Sequence, residues 1–246
     1  MEWASQIGLL LFLVASAATG GRLLWRGRER GHVHERLLGI TYFLGGPLGY
    51  SPLILVVSGA TPDEWTRALR AVGHLNLELS ALALYAFNRM VFRPGSRAWA
   101  VATAAAAIGL GAGWLALVEY DGLEGRVLGS STAYWCDLAV RAGAYVWAAA
   151  ESLGHYARAR RRLAHGLVEP VVVQRFLLWG VAMAAISGMF VNAVVAAFAS
   201  RGAPPALWFL IDGGLAVIAS AAMWITFFPS RRTQAGLAAR APSRSR

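Results

Sequence analysis

The chain has 246 residues, 57% of them apolar and 15% charged, with a net charge of +10 and a mean hydropathy of +0.49. A soluble domain carries roughly a quarter charged residues, so this composition excludes a disordered chain, a disulfide scaffold and an ordinary water-soluble enzyme. All 23 basic residues are arginine, which excludes Schiff-base chemistry and a phosphate-loop lysine. The single cysteine, Cys136, excludes an internal disulfide and a four-cysteine metal site.

A bilayer core about 30 Å thick requires roughly 20 apolar residues per helix. Seven such windows follow one another, near 5–25, 37–58, 66–92, 98–118, 133–157, 171–199 and 204–228. Short polar turns separate them and favour antiparallel neighbours. The expected architecture is therefore an all-α, seven-transmembrane helix bundle over 1–230, with a short basic tail at 231–246. In the first span Ala15-Ser16-Ala17 fits a signal-peptide cleavage pattern, but Glu2 stands where positive charge belongs, so the span reads as retained. The second holds Gly45-Gly46-Pro47-Leu48-Gly49-Tyr50-Ser51-Pro52, which is expected to kink or unwind the helix. Thr61-Pro62-Asp63-Glu64 opens the third, with Thr61 as the expected N-cap and Pro62 at the first helical position. In the fourth span Gly109, Gly111 and Gly113 read as close-packing positions. Pro170 and Pro204-Pro205 open the sixth and seventh spans. Trp3, Trp65, Trp114, Trp135 and Trp208 fall near one set of helix ends, as an aromatic belt would.

Arginine placement orients the bundle. The segments 22–36, 89–97 and 158–175 and the tail hold 18 of the 23 arginines, and the alternate loops hold four. Asp63, Glu64, Glu119, Asp121 and Glu124 lie on the arginine-poor side. The positive-inside rule then puts the N-terminus outside and the C-terminus in the cytoplasm, in a cell membrane of the bacterial inner-membrane kind. The net charge is thereby assigned to topology and anionic headgroups, and nucleic acid is not an expected partner. The expected partners are the lipid bilayer, a small apolar or amphipathic ligand and a protein engaging the basic cytoplasmic loops.

Ionisable groups within the hydrocarbon region are expensive and face the bundle interior. Glu78, Asp137, Glu151 and Asp212 are such acids, joined by Arg141 and His74. On the third helix Arg67, Arg70, His74, Glu78 and Tyr85 share a face; on the fifth, Asp137, Arg141 and Tyr145 step by four. By depth, Glu78, Asp137, Arg141 and Asp212 belong to an outward set, with Tyr50 and Asn192 at compatible levels. Glu151, His155 and Arg175 form a separate set near the cytoplasmic side. The outward set holds three acids to one arginine. If they converge, a carboxylic acid kept neutral can serve as general acid, proton carrier or hydrogen-bond donor. Asp137 and Arg141 can equally form an intrahelical ion pair, with the other acids in interhelical hydrogen bonds.

His74 with Glu78 and Glu151 with His155 have metal-ligand spacing, but they sit at different depths without a third ligand, so neither a metal centre nor a cofactor is expected. Cys136 is expected to be a small buried residue. Three functional readings follow. The leading one is a sensor whose outward site, with Tyr50, His74, Asp137, Arg141 and Asn192 as ligand contacts, binds a small apolar or amphipathic molecule. The second is an intramembrane enzyme, a cyclase or isomerase, with Glu78 or Asp212 as the acid that protonates an isoprenoid or lipid substrate. The third is a proton-coupled transporter relaying toward Glu151 and His155.

Two resemblances accompany these readings. Seven spans, an outside N-terminus and Asp212 on the last helix resemble the microbial rhodopsins in topology, with Ala216 where that family carries its retinal lysine. Leu75-Asn76-Leu77-Glu78-Leu79 with Tyr85, and Trp208-Phe209-Leu210-Ile211-Asp212, resemble acid-bearing helices of the small seven-helix membrane terpene cyclases of meroterpenoid pathways. That resemblance implies an acid role for Asp212. The family's further catalytic glutamate on the second helix has no counterpart in Gly49-Tyr50-Ser51.

Overall fold

A computed structural model describes residues 2–119, 132–199 and 206–228. The described residues are helical throughout, without a strand, and the elements run α1 (Glu2–Arg30), α2 (Val33–Phe43), a π-helical turn (Leu44–Leu48), α3 (Gly49–Val57), α4 (Asp63–Phe92), α5 (Arg97–Glu119), α6 (Thr132–Ala164), α7 (Pro170–Ala199) and α8 (Ala206–Phe227). Taking α2, the π-turn and α3 as one rod gives seven helices. Five rods are long and apolar enough to cross a membrane: Gln6–Arg30, Val33–Val57, Arg97–Glu119, Pro170–Ala199 and Leu207–Phe227. The chain has the make-up of a multi-pass integral membrane protein. α4 and α6 are the remaining two, and they carry Glu78, Asp137 and Arg141.

The outer surface is apolar, unlike that of a soluble bundle, and the largely apolar interior also holds polar and charged side chains. Val101, Ile108, Val191 and Phe198 are exposed, whereas Ser16, Thr19, Thr41, Ser80, Asn88, Ser152 and Ser220 are buried with the charged residues. Lipid supplies no hydrophobic drive between helices, so small residues must let backbones approach. α1 packs on α2 and α8, α7 links α8 to α6, and α4 sits against α2, α3, α5 and α6. A Cβ on Gly8 would lie 2.6 Å from the Gly213 carbonyl oxygen, which makes Gly8 the crossing point of α1 and α8. Gly109 faces Val140 and Gly113 faces Asp137, both as expected of packing positions, while Gly111 faces open space.

The disturbance expected in the second rod takes the form of a π-helical turn between α2 and α3. Pro47 sits inside the π-turn, and Pro52 follows within α3. A proline removes the N–H that would serve the carbonyl four residues earlier. For Pro52 that carbonyl belongs to Leu48, and Asn76 Nδ2 of α4 donates to it at 2.9 Å. Gly46 presses on Ser16 of α1 and Gly45 on Ser80 of α4, so the π-turn is wedged between its neighbours.

Helix starts differ in detail. α4 begins at Asp63, with Pro62 as N-cap in an extended conformation (φ −57, ψ 144) and no side-chain cap, so Thr61 is not the cap. Fixed φ lets proline leave the helix path by ψ alone, which shifts the boundary by one residue. Pro170 opens α7 as expected. Pro204-Pro205, residues 120–131 and the 231–246 tail lie outside the described residues. Trp114 does more than face the belt: its Nε1 donates to the Ala71 carbonyl of α4 at 3.0 Å.

Candidate functional site

α4 and α6 bring Glu78, Asp137 and Arg141 into one cluster. Glu78 lies midway along α4, and Asp137 and Arg141 sit one turn apart on α6, which packs beside it. Arg141 Nη2 lies 3.0 Å from Glu78 Oε1. The same nitrogen donates to Asp137 Oδ2. All three side chains are buried, and Arg141 is the cation that both carboxylates face. Gly113 of α5 closes the side of the cluster, because a Cβ there would stand 2.6 Å from Asp137 Oδ1. A larger residue at 113 would displace the carboxylate.

The other expected contacts divide around this cluster. His74, one turn before Glu78, is half-buried, with its Nδ1 shielded and unpartnered, and it lies within electrostatic reach of Arg141. Tyr50, on α3, is within Coulombic reach of both Arg141 and Asp212. Asp212 itself belongs to a second group: its Oδ1 accepts from Asn192 Nδ2 at 2.8 Å, and that amide also donates to the Trp208 carbonyl at 3.0 Å. Among the described residues no ion pair joins Asp212 to Arg141. The outward set is therefore an ionic triad on α4 and α6, an Asn–Asp pair on α7 and α8, and Tyr50 between them.

Toward the arginine-rich end the polar interior continues through Tyr85 and Tyr145, expected on the faces of Glu78 and Arg141, and through Thr41, Ser80 and Asn88, which the sequence did not single out. Ser80 Oγ donates to the Thr41 carbonyl at 2.7 Å and lies 3.4 Å from the Tyr145 hydroxyl. Tyr85 donates to the Val140 carbonyl at 2.8 Å and Asn88 to the Ala144 carbonyl at 3.0 Å. Tyr85 and Asn88 are seven and ten residues beyond Glu78, which places them on its helix face. That spacing was the available signal.

The inner set is rearranged. Glu151 is held by Arg93, whose Nε and Nη2 both lie 2.7 Å from its Oε1, while Arg175 is exposed. Arg93 follows directly on α4, so the α4–α6 contact brings it to Glu151. His155 takes no part in the pair. Its ring packs between Phe92 and Phe176, with centroids 5.2 and 5.3 Å away. Because the Arg93 side chain is 48% exposed, solvent screens the pair. Arg93→Gln should cost less than about 1 kcal/mol. Thermal melts in detergent at low and high salt check this, and the difference from the parent should shrink at high salt. Cys136 is exposed, not buried, because it lies beside Asp137 on α6, facing away from the cluster's side of the helix.

No protein-family model matches the chain, and no curated protein or solved structure is detectably similar to it.

Proposed function

We propose that this protein crosses a cell membrane seven times, with the N-terminus outside, and senses a small apolar or amphipathic molecule bound at the Glu78–Arg141–Asp137 cluster. The observation that carries this reading is a set of shielded polar atoms without partners: Arg141 Nε, Asp137 Oδ1 and His74 Nδ1. Each such group costs about 1–3 kcal/mol when left unsatisfied. A ligand head group offering both donor and acceptor would satisfy them. Tyr50 packs edge-on against Phe12 at 6.2 Å, which supplies an apolar wall for the rest of the molecule.

α4 and α6 complete the seven spans on this reading, since buried charges facing the bundle interior are the usual reason a spanning helix falls short in hydropathy. The turns at 31–32, 93–96 and 165–169 share the arginine-rich end, which supports a cytoplasmic assignment for it. Exposed arginines there offer a surface to a partner protein that would carry the signal.

The test is a thermal-shift screen of purified protein against lipids and metabolites. A stabilising compound should lose its effect in Glu78→Gln, and in Asp212→Asn if Tyr50 couples the two groups. No shift across the panel, together with tolerance of alanine at both positions, overturns the reading. Two buried acids on a single arginine favour a second reading in which Glu78 donates a proton, to an isoprenoid substrate or along a transport path. Glu78→Gln would then abolish turnover, or pH-driven flux in proteoliposomes, while the fold survives.

A further inference from the structure

A different group of side chains lies at the arginine-rich end, in the turn between α1 and α2. Gly31 has φ 71, a left-handed conformation that reverses the chain after α1. His32 follows in an extended conformation (φ −82, ψ 102) as the N-cap of α2, and its side chain caps nothing. The His32 ring stacks on the His34 ring, with centroids 5.2 Å apart and planes 20° from parallel. Glu35 joins them, its Oε1 3.6 Å from His32 Nδ1. One donor atom from each of the three residues lies within 4.8 Å of the others, and among the described residues no other trio of histidine, cysteine or acid does so.

We propose that His32, His34 and Glu35 bind a transition-metal ion of the Zn²⁺ type. Two imidazoles and a carboxylate are the donor set of a three-ligand zinc site with an open fourth position. Bonds of about 2.0–2.2 Å require donors closer than they stand, a gap that side-chain rotation at an exposed turn can close. The carboxylate is already anchored. Glu35 backs onto Gly27 of α1, where a Cβ would stand 3.2 Å from its own, and its Oε2 is shielded without a partner. Arg36, the nearest cation in sequence, is occupied elsewhere: its Nε donates to the Gly27 carbonyl at 2.9 Å. Arg28 and Arg30 make the surroundings positive, which disfavours hard ions such as Ca²⁺ and Mg²⁺ that rely on charge. Imidazole-preferring ions depend less on it. Both histidines are exposed, so the open position faces solvent.

The experiment titrates the full chain, carrying no oligohistidine tag, with Zn²⁺ in detergent micelles against a chromophoric chelator. One ion per chain is expected. His34→Gln and His32→Gln should each weaken binding by at least about tenfold, the scale of losses at zinc-site residues, without moving the melting temperature of the metal-free protein. Absence of Zn²⁺ binding, or one-to-one binding that both variants retain, overturns the proposal. The site lies in the turn between α1 and α2, whereas Glu78 lies midway along α4, so neither result bears on the sensing reading.

Discussion

Arg141→Met is expected to destabilise the folded bundle by about 3–5 kcal/mol, the usual penalty for removing one partner of a buried ionic network. Arg141 is the cation that pairs with both Glu78 and Asp137 among the described residues, and all three are buried among helices whose outer faces are apolar. Methionine keeps the volume but leaves two carboxyls facing each other. Denaturant unfolding in mixed micelles would measure the loss. The sharper comparison is the triple variant Glu78→Leu, Asp137→Leu, Arg141→Met. Replacing a whole buried ionic group by apolar residues of similar volume is often neutral or stabilising. The triple variant should therefore recover most of the stability that Arg141→Met loses. A cluster serving only architecture would then be dispensable, whereas a sensing site would lose its ligand response in a well-folded protein. If Arg141→Met is neutral, the guanidinium does not balance the two acids.

The helices were legible because apolar windows and their punctuation are local signals. Pro170 opens α7, and Gly109 and Gly113 of α5 pack against α6, in the way their chemistry suggests. The pairing of Asp137 with Arg141 was readable from i, i+4 spacing, and Glu78 joined them because depth and helix face agreed. Rotation about each helix axis was not readable. Asp212 sits at a depth compatible with Arg141, yet α8 turns it toward Asn192 on α7, and only tertiary packing decides that. The partner of Glu151 failed for the same reason: Arg175 and Arg93 both lie near the arginine-rich end, and the contact of α4 with α6 selects Arg93.

The π-turn and the metal-ligand trio show a second limit. Pro47 in an apolar helix announces a disturbance, but its form depends on Ser16 and Ser80 pressing from either side. Asn76 reads as one more polar residue in a spanning helix until Leu48 is seen to need a donor. His32, His34 and Glu35 are close in sequence, yet in a helix through 32–35 His34 would face away from the other two. His32 instead stands extended ahead of α2, with its ring stacked on that of His34. In each case the missing information is a backbone conformation or a neighbour from another helix.

Gly8→Val should have the largest effect of any single change remote from the ionic cluster. The space that a side chain would need is taken by the Gly213 carbonyl oxygen and Cα, 2.6 and 2.9 Å from a Cβ at position 8, and backbone atoms cannot rotate away. Overpacking of this kind costs about 1–3 kcal/mol where neighbours can shift, and more where they cannot. Gly111→Ala is the matched control. It faces open space on a helix, so it should be neutral or stabilise by about 0.5–1 kcal/mol through lower backbone entropy. The consequence of Gly8→Val also reaches function, because Asp212 precedes Gly213 and moves with it. Forcing α1 and α8 apart should break the Asn192–Asp212 hydrogen bond while leaving the α4–α6 triad in place. Gly113→Val does the reverse, since its side chain would enter the position of the Asp137 carboxylate. Melting temperature and ligand-induced shift, measured on both variants, then separate the two groups. If only Gly113→Val abolishes the ligand response, the triad alone binds; if both do, Asp212 and Tyr50 belong to the same site.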